Sequence, residues 1–365
     1  MSYIIDYIDW RGDLTFEASE FNEVDNLIFT QLAYVDFNGI LSSEFEEYAI
    51  SIKDAWERYK LRADKPLGAI LPKEIPAMFE KMAGSVRYEN LKLFGYIDTV
   101  DELTEKQFSA LCIRLDSKRT YVAFRGTDDT IIGWKEDFNL GFMDCVPAQE
   151  EAVTYINTVL GNVKGSVYVG GHSKGGNLAI YAAINCRKKY MDRIKRIYNN
   201  DGPGFCQKVI DGEGYKLSEN KIISIVPQGS VVGQLLGHTS ECIVVKSMQN
   251  GLFQHSGFSW EIIGASFVRE QELSKGSQLV DSTIRGWLQD LSAKDREDFV
   301  EAIYDVAKAS DAKTLTELFQ DKLKFIRGFA TADRKTKNAI NDNMKKIFEQ
   351  FYKNIVKQAK SKQNS

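Results

Sequence analysis

Apolar positions recur with helical spacing over the first ninety or so residues and with strand spacing after them. Phe21, Val24, Leu27, Ile28 and Leu32 include an i, i+3, i+4, i+7 stripe, which predicts a helix near 21–35. Phe45, Tyr48, Ala49, Ile52 and Trp56 predict a second over 44–60, and a third follows Pro72 near 73–83. From about 91 the period shortens. Ala110 to Leu115 and Thr120 to Phe124 are apolar runs joined by Asp116-Ser117-Lys118-Arg119, which reads as strand, turn and strand. A helix near 147–160 precedes a strand at 166–170 and its helix to about 186, and further strands are expected at 194–199, 221–226 and 241–246. Strands alternating with helices indicate a mainly parallel α/β sheet, whose ligand sites gather at the carboxyl ends of strands.

After about 265 the strand signals stop. Ile284, Trp287, Leu288 and Leu291 mark a helix, and Ser292 with Asp295 reads as the cap of another that carries Phe299, Val300, Ile303 and Val306. A last amphipathic helix carries Ile340, Met344, Ile347, Phe348, Phe351 and Ile355. The expected organisation is a helical N-terminal extension over 1–90, a core over 91–265 and a helical region over 266–365.

Composition narrows the class. A chain of 365 residues, 43% hydrophobic and 27% charged, has the balance of a globular enzyme. The formal charge of −4 gives no footprint for nucleic acid. Five scattered cysteines without CxxC spacing suggest neither a disulfide framework nor a zinc site. The start has no basic-then-apolar signal pattern and no apolar run is long enough to span a bilayer, so a cytoplasmic location is expected. The basic last helix reads as a solvated face; the alternative is a weak contact with an anionic membrane surface. Oligomeric state stays open.

The strongest chemical signal is Val167-Tyr168-Val169-Gly170-Gly171-His172-Ser173-Lys174-Gly175-Gly176. A β-branched run ends in Gly-x-Ser-x-Gly and a helix follows at once, the context of a nucleophile elbow. A serine needs a base, and the chain has three histidines. His172 adjoins the serine and is a poor base for its neighbour. His255, on the loop after the last strand, fits the Ser…acid…His order better than His238, which precedes that strand. An oxyanion needs donors: the amide of Lys174, the residue after the serine, and one from the strand end Arg125-Gly126-Thr127, where Thr127 is the candidate. No metal or organic cofactor is required by this chemistry.

Ala123-Phe124-Arg125-Gly126-Thr127, then Gly133-Trp134-Lys135-Glu136-Asp137, then the serine elbow together resemble the class 3 lipases (fungal triacylglycerol lipase-like), over roughly residues 90–265. The whole chain looks similar to bacterial lipase-like proteins of that superfamily. The resemblance implies an α/β-hydrolase fold with helical extensions at both ends. It implies Ser173 as nucleophile, His255 as base, and Thr127 and Lys174 as the oxyanion residues. Asp137 and Asp128 would organise the oxyanion loop. A carboxylic or lipid acyl ester is the implied substrate class, and no nucleic acid partner is implied.

Two positions depart from that pattern. Lys174 replaces the usual leucine, and its ammonium either faces the substrate or swings outward. Ser230, in Val226-Pro227-Gln228-Gly229-Ser230, stands roughly where the lipases carry the triad aspartate. The alternative acid is Asp201, in Asn199-Asn200-Asp201-Gly202-Pro203-Gly204, directly after the preceding strand. The expected activity is therefore ester hydrolysis by Ser173, His255 and Asp201. The rivals are a thioesterase or peptidase using the same residues, a non-catalytic lipase-like binding protein, and an adaptor acting through the basic last helix.

Overall fold

Among the described residues of the computed structural model, eight strands join edge to edge in the order in which the chain makes them. The structure describes residues 2–45, 48–62, 71–128, 130–140, 143, 145–237, 241–309 and 328–363. The sheet runs β1 (Ile50–Ser51), β2 (Lys92–Asp101), β3 (Lys106–Arg114), β4 (Arg119–Phe124), β5 (Ser166–His172), β6 (Ile194–Asn200), β7 (Ile222–Pro227) and β8 (Ile243–Val245). The pairs from β1 to β4 are antiparallel and those from β4 to β8 parallel. This is an α/β-hydrolase-like arrangement, a mostly parallel central sheet with flanking helices.

Strand order decides where the helices go. Right-handed crossovers between successive parallel neighbours put their helices on one face. That face is packed by α6 (Pro147–Asn162), α7 (Lys174–Ile184), the short α8 (Gln207–Ile210) and α9 (Glu213–Ser218) against Phe108, Ala110, Cys112, Val122 and Phe124. Side chains alternate along a strand, so Leu111, Ile113, Tyr121 and Ala123 face the other way. There they meet α1 (Ile4–Arg11), α2 (Glu23–Leu32) and α4 (Ile75–Ala83), with Trp260 and Phe267. Phe267 belongs to a small hairpin of β9 (Ile262–Ile263) and β10 (Ser266–Phe267). The first ninety residues thus supply one of the two layers over the sheet, and also its edge strand β1.

α2 begins at a reciprocal cap. Asn22 Oδ1 accepts from the Val24 and Asp25 amides at 2.9 and 3.3 Å, and Asp25 Oδ2 accepts from the Asn22 amide at 3.0 Å. Asp25 also takes Arg87 through two bonds of 2.8 and 2.6 Å and the Tyr88 hydroxyl at 2.6 Å, all buried. Every residue from Val24 to Leu32 is buried, not only the predicted stripe. Asn26 uses this burial: it accepts from Tyr121 Oη at 2.6 Å and donates to Asn200 Oδ1 at 2.9 Å, joining α2 to β4 and β6.

The helix expected over 44–60 is confined to α3 (Ile52–Tyr59). Ser51 caps it, with Oγ accepting from the Asp54 amide at 3.0 Å, and the residues before the cap extend into β1. The hairpin's first strand is longer than its apolar run, and β2, whose outer half is only partly covered, has no counterpart in the expected strands.

Beyond β8, α10 (Lys275–Gln289), α11 (Ala293–Ala309) and a last helix over Arg334–Gln363 pack on one another. Ser292 caps α11 with the expected reciprocity: each of Ser292 and Asp295 accepts the other's amide at 3.1 Å. α11 reaches α5 (Ile131–Asn139), where Lys135 Nζ lies 2.7 Å from Glu105 and 2.8 Å from Glu301. On the last helix Ile340 and Ile347 are partly buried, whereas Met344, Phe348 and Phe351 are exposed. Among the described residues, no helix is long and apolar enough to cross a membrane.

Candidate active site

β5 delivers Ser173 to the carboxyl edge of the sheet. The serine has φ +59° and ψ −134°, a strained conformation for a residue with a side chain, and α7 starts at the next residue. The flanking glycines make this turn fit: a Cβ on Gly171 would lie 2.0 Å from the Gly175 carbonyl carbon, and one on Gly175 would lie 2.2 Å from the Phe124 carbonyl oxygen. Lys174 is the first residue of α7, so its amide has no intrahelical acceptor.

Asp201 and His255 come together. Asp201 follows β6 in a left-handed turn (φ +51°) and is wholly buried. His255 Nδ1 lies 2.7 Å from Asp201 Oδ2. A carboxylate accepts, so this contact puts a proton on Nδ1 and leaves Nε2 as the free lone pair of the neutral ring. Ser230 does not occupy the acid's place as a substitute: its hydroxyl donates to Asp201 Oδ1 at 2.5 Å, joined there by the Gly233 amide at 3.2 Å. Two donors on Oδ1 and the imidazole on Oδ2 fix the carboxylate plane. His238, the alternative histidine, lies outside the described residues.

The loop carrying His255 is fixed on both sides. Gln254 Oε1 accepts from the Gly229 amide at 2.9 Å, and Trp260 Nε1 donates to the Gln254 carbonyl at 2.9 Å. From the elbow, His172 Nε2 donates to the His255 carbonyl at 2.7 Å, and the two imidazoles face each other at 4.6 Å between centroids. Burial, then the neighbouring His255, push the His172 pKa down to about 3, so this ring stays neutral. His255 therefore packs on His172, the residue that precedes the serine.

The loop after β4 forms the facing wall. Thr127 Oγ1 donates to Asp137 Oδ2 at 2.5 Å, and no described residue accepts from the Thr127 amide. Burial raises the Asp137 pKa to about 6, against the pull of the Lys174 ammonium. Asp128 accepts from the Thr130 amide and hydroxyl at 2.8 and 2.6 Å and from Arg125 at 3.1 Å. Arg125 also pairs with both oxygens of Asp98, at 3.0 and 2.8 Å.

The Lys174 side chain goes neither to a substrate nor to solvent. It is buried, with Nζ 2.9 Å from Glu136 Oε2 and bonded to the Gln107 carbonyl and side-chain oxygens at 2.9 and 2.7 Å. Glu136 also accepts from the Gln107 and Ala148 amides, at 3.1 and 2.8 Å. Sequence reasoning passed over Glu136; the signal was an uncompensated glutamate in Trp-Lys-Glu-Asp matched to a lysine at an apolar position. It passed over Tyr34 too, whose hydroxyl lies 3.1 Å from His172 Nδ1 and which no motif marks. Among the described residues, no group of three metal-ligating side chains occurs.

A search of the curated proteins finds no match to the sequence. Among solved structures, the crystal structure of M37 lipase aligns with 66% of this chain and 82% of that chain at 15% identity, with a TM-score of 0.35. The family model described as Mbeg1-like matches residues 82–305. That span takes in the hairpin strands, the loop after β4, the serine elbow, the loops carrying Asp201 and His255, α10 and most of α11. Matched over more than half of its length, the chain belongs to the Mbeg1-like family.

Proposed function

We propose that this protein is a serine hydrolase that cleaves carboxylic esters, with lipid acyl esters as its substrate class. One observation carries the reading: an imidazole held at 2.7 Å by a buried carboxylate, on a loop bonded to the elbow of a strained serine. Strain of this kind persists where surrounding structure enforces it, and it is concentrated at reacting groups.

In this reading Ser173 Oγ attacks the acyl carbon while His255 Nε2 takes its proton. Asp201 stabilises the imidazolium so formed and keeps the ring oriented. The carbonyl oxygen becomes an oxyanion held by the Thr127 and Lys174 amides. Because Thr127 Oγ1 donates its proton to Asp137, its contribution to the oxyanion is the amide. The C–O bond breaks, the alcohol leaves with the proton from His255, and water activated by the same imidazole frees the acid from Ser173. Lipid acyl esters are named because the fold is lipase-like. The Lys174 charge, neutralised inside the protein by Glu136, does not oppose an apolar acyl chain.

The test is labelling with a fluorophosphonate. Wild type should label, Ser173→Ala should not, and Asp201→Asn should label far more slowly while remaining folded. A folded wild-type protein that resists the probe would favour a non-catalytic binding protein. Acyl esters of graded chain length against matching thioesters and amides then separate an esterase from a thioesterase or peptidase.

A further inference from the structure

We propose that Tyr34 is a positioning residue whose single hydroxyl ties the oxyanion loop to the loop carrying the base. The inference rests on the hydrolase reading, and it adds to the site a residue from outside the span 82–305 that the family model matches.

Tyr34 follows α2 by two residues and is buried. Its Oη is 3.1 Å from His172 Nδ1 and 3.4 Å from the His172 carbonyl oxygen, and it lies directly against Gly126. The proton positions follow from the partners. The His255 carbonyl only accepts, so His172 Nε2 must carry a hydrogen. His172 is neutral, so its Nδ1 is a bare lone pair and the Tyr34 hydroxyl must donate to it. The resulting chain has one polarity: Tyr34 Oη–H to His172 Nδ1, then His172 Nε2–H to the His255 carbonyl. Bonds aligned in this way reinforce one another in a dry interior.

Gly126 is glycine where the tyrosine needs room: a Cβ there would lie 2.2 Å from Tyr34 Oη and 2.6 Å from the His172 carbonyl oxygen. The residue next to Gly126 is Thr127, the proposed oxyanion donor, so Tyr34 sets the approach of that loop to the serine. Burial also keeps the phenol well above the ordinary tyrosine range, with Asp137 and Asp128 adding to the rise and Arg125 opposing it. Tyr34 is thus a donor at every working pH. A proton on His172 would face His255 at 4.6 Å and oppose the positive charge that the base acquires in the reaction. A hydroxyl donating to Nδ1 leaves that lone pair engaged and the ring neutral.

With three histidines in the chain, imidazole nitrogen NMR can follow each ring separately. In wild type, His172 should be the Nε2–H tautomer and should not titrate between about pH 5 and pH 8. Tyr34→Phe should keep the Nε2–H tautomer, which the His255 carbonyl holds, and should shift the His172 Nδ1 resonance to that of a lone pair without a donor. It should lower kcat and the rate of phosphonate labelling together, by about 10- to 100-fold, with KM little changed. His172→Gln, whose amide reaches the place of Nε2 but offers Tyr34 no acceptor at the place of Nδ1, should lose kcat about as much as Tyr34→Phe does. The proposal is overturned if His172 titrates near its ordinary value, or if either Tyr34→Phe or His172→Gln keeps wild-type kcat. Failure of the hydrolase reading is separate: the wild type would then resist labelling, whatever the NMR tautomer.

Discussion

The Lys174 ammonium lies 2.9 Å from the Glu136 carboxylate, and neither group reaches solvent. Removing one member of a buried pair strands the other charge and costs about 3–5 kcal/mol, whereas removing both together is often near neutral. Lys174→Met should therefore unfold at markedly lower urea, and Lys174→Met with Glu136→Gln should recover much of the difference. Equal midpoints for single and double variants would show that the two charges are not coupled.

Ser230 and Asp201 make a graded prediction. Asp201→Asn removes the acceptor that sets the His255 tautomer, a change worth on the order of 10⁴ in kcat in a Ser-His-Asp hydrolase. Ser230→Ala removes one of two donors to the far oxygen and should cost about tenfold, with KM unchanged. If Ser230→Ala were as damaging as Asp201→Asn, the serine would be doing more than orienting the carboxylate.

Acid should destabilise the fold through His172. Its folded value, about 3, lies below the ordinary 6.5, so between these limits the unfolded chain binds a proton that the folded one refuses. Stability from this residue is complete above about pH 6.5 and falls as the pH drops toward 3, by on the order of 1.4 kcal/mol per unit. Asp137, raised to about 6, works in the opposite sense and loses stability as the pH rises toward 6. The difference between wild type and His172→Gln in urea melts across this range isolates the histidine. A flat difference would mean that His172 is not buried neutral.

Phe29 tests the N-terminal layer. It is wholly buried and meets Phe21, Tyr88 and Tyr121 with ring centroids 5.3–6.0 Å apart. Phe29→Ala should cost about 3–5 kcal/mol, the range for a core phenylalanine. A loss below about 1 kcal/mol, ordinary for surface changes, would mean that this layer is not part of the cooperative unit.

The parts of the fold legible in the sequence are those whose pattern is local. The elbow carries its own glycines, α2 its cap and stripe, and α11 its Ser292–Asp295 cap. What could not be read depends on partners distant in the chain. Asp25 and Asn26 look like the wet face of α2, yet they are buried because Arg87 and Tyr88 cover the first and Tyr121 and Asn200 the second. β2 lacks clear alternation because only its first half is fully covered. The direction of Lys174 depended on Glu136, 38 residues upstream. Asp201 was the better candidate for the acid because it directly follows a strand; the supporting role of Ser230 needed the fold, which brings two loops 29 residues apart onto one carboxylate.

The strand order also governs when each surface becomes available during synthesis. α2 is translated second among the helices, but the seat that receives it is assembled late: Phe21 packs on Tyr121, Tyr168 and Tyr198, Asn26 bonds Asn200 across 174 residues, and Glu23 takes the Phe267 amide across 244. A nascent chain halted before β6 holds this segment over β4 and β5 alone, without Tyr198 and Asn200. Until more than half of the polypeptide has left the ribosome the seat stays unfinished, and contacts of such long range make folding slow and open to aggregation.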